Sequence, residues 1–430
     1  MGGFMAELIT PARALSGAVV LPGDKSISHR YGLIASLADG TSRIKRYSQG
    51  ADCQSTLSCL EALGVRIERG SEETLIHGVG LDGLRAAAAD LDAGNSGSTM
   101  RMLSGILAAQ PFTSRLFGDE SLSRRPMARI MKPLAEMGAV IEARDGQFPP
   151  LTIRGQRLKP IHYQTPVASA QVKSCVLLAG LFCEGETVVE ESIKTRDHTE
   201  IALREFGAEI ETVKRVTRLQ GRPALTGKEL IVPGDLSSAA FFLVAALIVP
   251  DSSLSIYGVG LNPTRSALLD FLVSMGAPVK ILEINQTGGE VIGDLQVKYA
   301  PVTGGELSGA LTAALIDEIP VLAILGAMSQ KGLLVRDAAE LRVKETDRIA
   351  TVAENLGRMG VQVEVKPDGF FVPGRQKFRA ATIDSFGDHR IAMAFSIAGL
   401  AADGETTIEN PEAASVSFPG FYQTLARLSS

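Results

Sequence analysis

Cysteine is scarce in this chain, and the four present, Cys53, Cys59, Cys175 and Cys183, form no C-x-x-C pair. Their arrangement does not look like a disulfide frame, which fits a reducing compartment. A cationic excess is missing too: 43 Lys and Arg stand against 48 Asp and Glu, for a net charge of -5. Domains whose main partner is nucleic acid usually carry a net basic face, so no nucleic-acid partner is expected, although net charge does not exclude a local basic pocket. Long apolar runs are absent as well. The longest, AAFFLVAALIVP at 239–250, is far shorter than the ~20 residues a spanning helix needs. The opening MGGFMAELIT has neither an apolar signal core nor the Ser or Thr of a myristoylation motif. Met5 is read as the natural start and residues 1–4 as an addition. The expectation is a cytoplasmic protein with no membrane partner, and a monomer by default.

What is present is the composition of a globular protein, with 45% apolar and 21% charged residues. At 430 residues the chain is too long for one ordinary core, so two domains are expected. Internal repetition then gives the organisation. An amphipathic helix ending in Gly and running into a short strand recurs as LEALGVRIE, LAEMGAVIE, LREFGAEIE, LVSMGAPVK and LGRMGVQVE, and a sixth copy begins at FYQTLARL. Gly64, Gly138, Gly207, Gly276 and Gly360 sit where a helix C-terminus calls for a left-handed residue.

A second helix, rich in Ala, Gly, Ser, Leu and Ile, also recurs six times, as in GSTMRMLSGILAA, SSAAFFLVAALIV and HRIAMAFSIAGLA. Helices apolar almost all round are buried, and small residues let neighbours approach closely. Their expected N-caps are Asp24, Asn95, Ser169, Asp235, Asp317 and Asp388. Six copies imply two domains of three units, with the second Pro-Gly-Asp, at 233–235, as the seam. GVGLDG at 78–83 matches G-x-G-x-x-G, but no Rossmann half follows, and it is read as a turn at a strand end.

The repeats supply their own control. Laid over VPGDLSSAAF at 232–241, the stretch LPGDKSISHR at 21–30 keeps Pro, Gly, Asp and Ser but not its charges. Lys25 faces Leu236, His29 faces Ala240 and Arg30 faces Phe241. The fold needs the frame and does not need the cations, which points to a ligand. Other helix starts carry cations too: Arg101, Arg124 and Arg125 before Pro126, Lys173, Arg196, Lys344 with Arg348 one turn on, and His389 with Arg390. Helix N-termini already favour anions, and cations there oppose the dipole. Several helix starts charged against their own dipole imply a bound polyanion.

There is no P-loop, no H-E-x-x-H and no Cys/His cluster at metal spacing. The cysteines read as packing residues, without the setting of an activated thiol. Two carboxylates remain of interest beside the cations, Asp317 in LIDEIP and Glu345 in VKETDR.

PGDKSISHR, GNSGSTMR, RRPM, SAQVKS, TRDHTE, IDEIP, ELRVKETDR and DHRIAMA, in this order, resemble the 5-enolpyruvylshikimate-3-phosphate synthase family over nearly the whole chain. The resemblance implies a two-domain inside-out α/β barrel, each domain three βαβαββ repeats, closing a cleft. The expected division is 23–235 for the N-terminal domain, with 1–22 and 236–430 for the C-terminal one. The implied reaction transfers the enolpyruvyl group of phosphoenolpyruvate to the 5-hydroxyl of shikimate 3-phosphate, with no metal or organic cofactor. Each phosphate carries about -1.5 to -2 at neutral pH, so the pair of substrates calls for Arg and Lys.

Carried over by motif, the resemblance assigns shikimate 3-phosphate to Lys25, Ser26, Arg30, Ser169, Ala170, Gln171, Arg196, Asp317 and Lys344. It assigns phosphoenolpyruvate to Lys25, Asn95, Gly97, Arg125, Gln171, Arg348, His389 and Arg390. Asp317 would take the proton of the attacking hydroxyl, while Glu345, with Lys344, would protonate the methylene carbon and later remove that proton; Lys25 joins them as a catalytic group. The chain departs from the family at Val416, where a lysine contact to phosphoenolpyruvate is usual, at Ser96-Gly97-Ser98-Thr99, where the family usually reads Ala-Gly-Thr-Ala, and at Met102, which replaces a frequent proline. Gly97 leaves room for the herbicide glyphosate, so inhibition is implied. The sister transferase acting on UDP-N-acetylglucosamine is the nearest alternative, but its loop cysteine has no counterpart in GDESLSRRPM, and its Lys-Asn reads Lys25-Ser26 here. A non-catalytic sugar-phosphate binding protein on the same scaffold is the other; the presence of Asp317 and Glu345 argues against it.

Overall fold

The six Ala- and Leu-rich stretches all form helices: Lys25–Ser36, Gly97–Leu107, Ala170–Gly180, Leu236–Ile248, Ile319–Met328 and His389–Leu400. Beyond their first turns they are almost wholly buried, as their all-round apolar character requires. The computed structural model describes residues 6–429, and Met5 lies outside the described residues. Among those residues no single helix is long and apolar enough to cross a membrane.

Local chemistry explains where these helices begin and where their partners end. Asp24, Ser169, Asp235 and Asp388 are N-caps whose side chains accept from the backbone N–H groups of Ile27, Val172, Ser237 and Arg390. Two expected caps are displaced by one residue. Ser96, not Asn95, caps Gly97–Leu107, because the Asn95 amide is engaged by Asp119 and Arg125. Glu318, not Asp317, precedes Ile319–Met328, which has Pro320 as its second residue and no side-chain cap. Pro126 also falls outside its expected helix: a short turn at Leu122–Arg124 comes first, and Ala128–Glu136 starts after Met127. All five glycines placed at helix ends have positive φ.

Each repeat spreads its strands in one order. In the second repeat Leu91–Asp92 runs parallel to Thr113–Phe117, which pairs antiparallel with Phe148–Arg154, itself antiparallel to Val140–Arg144. With the helices Gly97–Leu107 and Ala128–Glu136 between them, this is a βαβαββ unit. The third repeat copies it with His162–Thr165, Glu186–Glu191, Val216–Gln220 and Ile210–Val213. The first borrows its opening strand, Glu229–Ile231, from the far end of its unit.

The fourth repeat borrows Ser16–Val20 in the same way, parallel to Ser253–Gly260, and the fifth is self-contained from Gly305–Leu307 to Gly369–Val372. The sixth has three strands among the described residues, Thr382–Asp384 and Thr406–Glu409 with the N-terminal strand Ala6–Ile9. GVGLDG is the end of strand Glu73–Val79 and the turn after it.

The chain divides into two compact units, each with its own apolar core. The N-terminal unit is Gly23–Pro233 with Gln286–Glu290; the C-terminal unit is Met1–Pro22, Gly234–Asn285 and Val291–Ser430. The boundary thus lies at Pro233/Gly234, slightly ahead of the sequence boundary. Gln286–Glu290, the turn of a hairpin, groups with the N-terminal unit because Glu290 is buried there against His198, 2.7 Å from its Nδ1.

Close helix contact depends on missing side chains. A Cβ on Gly105 would lie 2.3 Å from the carbonyl oxygen of Cys175 in the neighbouring buried helix. Gly105→Ala is expected to destabilise the protein by about 1–3 kcal/mol, the usual cost of overpacking, read as a lower midpoint in urea unfolding. An unchanged midpoint would refute this account of the contact.

Candidate active site

The C-terminal unit buries a guanidinium among carboxylates. Arg348 opens the helix Arg348–Arg358 and is 1% exposed. Its Nε donates to Asp388 Oδ2 at 2.8 Å and its Nη2 to Asp388 Oδ1 at 3.2 Å and Glu345 Oε2 at 2.6 Å. Its Nη1 lies 3.7 Å from Asp317 Oδ1. Burial alone would lower the guanidinium pKa, but Asp388, Glu345 and Asp317 outweigh it and hold Arg348 above its ordinary value. Asp388 is fully buried, so it does double work as helix cap and as the anchor of Arg348.

Asp317 gathers the remaining expected residues of this unit. Lys344 Nζ lies 3.5 Å from its Oδ1, and Arg390 Nη2 lies 4.0 Å from its Oδ2. Arg390 Nη1 also donates to the Asp317 backbone carbonyl at 2.8 Å. The spacing predicts Lys344 and Arg348 one turn apart on one helix, but they do not share one; a short turn, Ala339–Val343, ends before Lys344 and a new helix starts at Arg348, capped by Asp347. Both still reach Asp317. His389 opens its helix beside Arg390 and is buried. The side chains of Asp317 and Glu345 keep 17% and 16% of their surface exposed, enough to meet a substrate, and Arg348 stands between them.

The N-terminal unit collects the other expected residues at its helix starts. Lys25 Nζ pairs with Asp52 Oδ2 at 2.8 Å. Arg30 is buried, with Nε on Thr199 at 2.7 Å, Nη2 on Ser174 at 2.8 Å and Nη1 on the Ser26 carbonyl at 2.8 Å. Burial, partly offset by Glu200, pushes its pKa down to about 10, so it stays cationic at neutral pH. Arg125 donates to Asn95 at 2.7 Å and to Ser121 at 3.1 Å. Gln171 accepts from Arg101 at 2.8 Å and donates to Ser98 at 2.9 Å, so its amide orientation is fixed. Gly97 is packed beside them: a Cβ there would stand 2.9 Å from Arg101 Nη1 and 3.5 Å from Arg125 Nη1. Ser169, Ala170 and Gln171 are half-buried at one helix N-terminus, and Arg196 is half-buried ahead of another. Arg124, by contrast, is exposed and pairs with Glu120.

Several residues of these clusters escape sequence reasoning. Asp52 belongs to no motif, and only its distance to Lys25 identifies it. Arg101 carries a signal, a cation at a helix start, but the signal does not say that it serves Gln171. Asp388 is legible as a cap and not as the partner of Arg348. The four cysteines are buried and free, and burial pushes their thiols up, to about 12 at Cys59 and about 11 at Cys183, which leaves no ready thiolate. Among the described residues no group of His, Cys, Asp and Glu is arranged to hold a metal ion.

His29 is not one of the cations. It is buried with Nδ1 2.7 Å from Thr56, and burial first, then Lys25 and Arg30, hold its pKa well below the ordinary value. The unfolded chain takes up a proton there near pH 6.5 that the folded chain refuses. Its contribution to stability is therefore present above that pH and lost as pH falls. Below about pH 6.5 the stability of the wild-type chain should fall more steeply than that of His29→Gln, by up to about 1.4 kcal/mol per pH unit. Urea unfolding of both at about pH 5 and about pH 7.5 measures the two slopes, and equal slopes would contradict the assignment.

Comparison with known proteins agrees with this geometry. The family model for EPSP synthase (3-phosphoshikimate 1-carboxyvinyltransferase) matches residues 9–425. The 3-phosphoshikimate 1-carboxyvinyltransferase of Solibacter usitatus (strain Ellin6076) is 65% identical over 424 residues, 99% of this chain and 100% of that protein. That of Koribacter versatilis (strain Ellin345) is 54% identical over 421 residues, 98% of each. Among solved structures, EPSP synthase from Acinetobacter baumannii is 43% identical with a TM-score of 0.87, covering 98% of each chain. The enolpyruvyl transferase NikO from Streptomyces tendae, at 20% identity and a TM-score of 0.80 over 99% of this chain and 98% of that one, shares the fold. With a family model spanning nearly its full length, the chain belongs to the EPSP synthase (3-phosphoshikimate 1-carboxyvinyltransferase) family.

Proposed function

We propose that the chain carries out its family's reaction, moving the enolpyruvyl group of phosphoenolpyruvate to the 5-hydroxyl of shikimate 3-phosphate and releasing phosphate. The observation that carries the division of labour is the pairing of two largely buried but still accessible carboxylates, Asp317 and Glu345, through one fully buried guanidinium, Arg348. Asp317 takes the proton of the 5-hydroxyl as its oxygen bonds to C2 of phosphoenolpyruvate. Glu345, with Lys344 nearby, delivers a proton to C3, giving a tetrahedral intermediate with a methyl group. In the second step the C2–O bond to phosphate breaks, and Glu345 recovers a proton from the methyl group, which restores the double bond.

Lys25, Ser26, Arg30, Ser169, Ala170, Gln171 and Arg196 hold shikimate 3-phosphate on this reading. Lys25, Asn95, Gly97, Arg125, Gln171, Arg348, His389 and Arg390 hold phosphoenolpyruvate. Helix N-terminal N–H groups add to the cations at most of these positions. A cytoplasmic monomer, without nucleic-acid or membrane partner, is the proposed acting form.

Phosphate release from phosphoenolpyruvate is expected with shikimate 3-phosphate and not with UDP-N-acetylglucosamine, and to persist in a chelator. Release with the second acceptor alone would overturn the reading. Asp317→Asn and Glu345→Gln should each lower kcat by roughly 10²–10⁴-fold, the usual contribution of general acid–base catalysis, while shikimate 3-phosphate still binds in a titration. Glyphosate should inhibit in competition with phosphoenolpyruvate. Gly97→Ala, whose Cβ would crowd Arg101, should weaken the binding of both glyphosate and phosphoenolpyruvate.

A further inference from the structure

Lys173 is the most deeply buried ammonium group of the N-terminal unit, and the division of labour above gives it no role. It lies in the helix Ala170–Gly180, 1% exposed, with Nζ 2.9 Å from Glu191 Oε2 and 2.7 Å from Glu200 Oε1, two carboxylates each 2% exposed. Burial pulls the Lys173 pKa down, yet Glu200 and Glu191 outweigh it and hold it above its ordinary value.

The fold does not require this charge. Counting four residues on from the N-cap, the six sister helices carry Ser28, Met100, Lys173, Ala239, Leu322 and Ala392, all buried. Five of these are small or apolar, so the architecture accepts an uncharged residue here. Buried ion pairs are also poor stabilisers compared with apolar packing. A three-charge cluster kept where five sisters do without it calls for a reason other than stability.

The positions of the two carboxylates supply one. Glu191 ends the strand Glu186–Glu191, and Glu200 lies in the first turn of the helix His198–Glu205. Between them runs a segment exposed at 192–194, which carries Lys194, Thr195 and Arg196. Glu191 Oε1 accepts from the Thr195 backbone N–H at 3.1 Å and from the Thr195 hydroxyl. Next along the same helices, Ser174 and Thr199 lie 2.6 Å apart and both receive Arg30.

We propose that Lys173 is a positioning residue for substrate: by joining Glu191 to Glu200 it ties both ends of the Arg196 segment to the helix whose N-terminus presents Ser169, Ala170 and Gln171. The ammonium touches no substrate. It sets the spacing between Arg196 and that helix start, so that both meet one phosphorylated hydroxy acid. The inference rests on the assignment of shikimate 3-phosphate to these groups.

Lys173→Met and Thr195→Val in the full-length chain test it. Lys173→Met removes the bridge, and Thr195→Val removes only the hydroxyl that holds the segment to Glu191. Both should raise the Kd and KM for shikimate 3-phosphate, Lys173→Met by about tenfold or more, the loss expected when a charge-assisted contact is misplaced. The KM for phosphoenolpyruvate should change little, a split that general loss of stability would not produce. Trypsin should also cut after Lys194 or Arg196 faster in both variants, without substrate present. Wild-type affinity together with wild-type cleavage rates in folded variants would overturn the proposal. If Lys173→Met fails to fold, Thr195→Val decides by the same two measurements. A wild-type chain that binds no shikimate 3-phosphate defeats the functional assignment instead, and the cleavage comparison still judges the tether.

Discussion

A cation kept inside a protein needs carboxylates or other hydrogen-bond acceptors around it, because an unpaired buried charge costs several kcal/mol. That constraint organises both units of this chain. Arg348 enters the interior with Asp388 and Glu345, Lys25 with Asp52, and Lys173 with Glu191 and Glu200. Each pairing fixes a side chain that would otherwise sample many rotamers, so the charged groups are held in place without a ligand. Where a carboxylate is also a helix cap, as at Asp388, backbone geometry and site geometry become one requirement.

The repeats show what the scaffold does when no substrate must be held. At the sister positions of Asp24 and Ser26, the cap Asp235 and Ser237 turn inward. Arg265 lies 3.4 Å from Asp235 and also donates to Ser237, which in turn donates to Glu318. The same Pro-Gly-Asp frame thus serves internal wiring in one copy and offers polar groups to a ligand in the other. Comparison within one chain separates the two uses, since the frame is held constant while the charges change.

Much of the architecture was legible for the same reason. Gly64 and its four counterparts mark helix ends because only a left-handed residue closes those turns, and the apolar helices announce their own burial. Two places where reading by pattern slipped, Asn95 and Asp317, are places where other side chains compete with helix capping. Asn95 is drawn off by Arg125 and Asp119, and Asp317 by Lys344, Arg348 and Arg390. Asp52 and the Gln286–Glu290 turn were not legible at all, because both act through partners distant in sequence. Motifs name residues that meet a ligand more readily than residues that hold those residues still.

The borrowed strands carry a consequence for biosynthesis. The N-terminal unit is almost a single run of chain, Gly23–Pro233, whereas the C-terminal unit is assembled from both termini. As the polypeptide leaves the ribosome, the first body has nearly all its strands in hand early and can consolidate in sequence. Ala6–Ile9 must wait for Thr406–Glu409, its one sheet neighbour among the described residues, to be made some four hundred residues later. The strand Ala6–Ile9 is therefore among the last to find its place, and the sheet it completes closes only after the self-contained fifth one can.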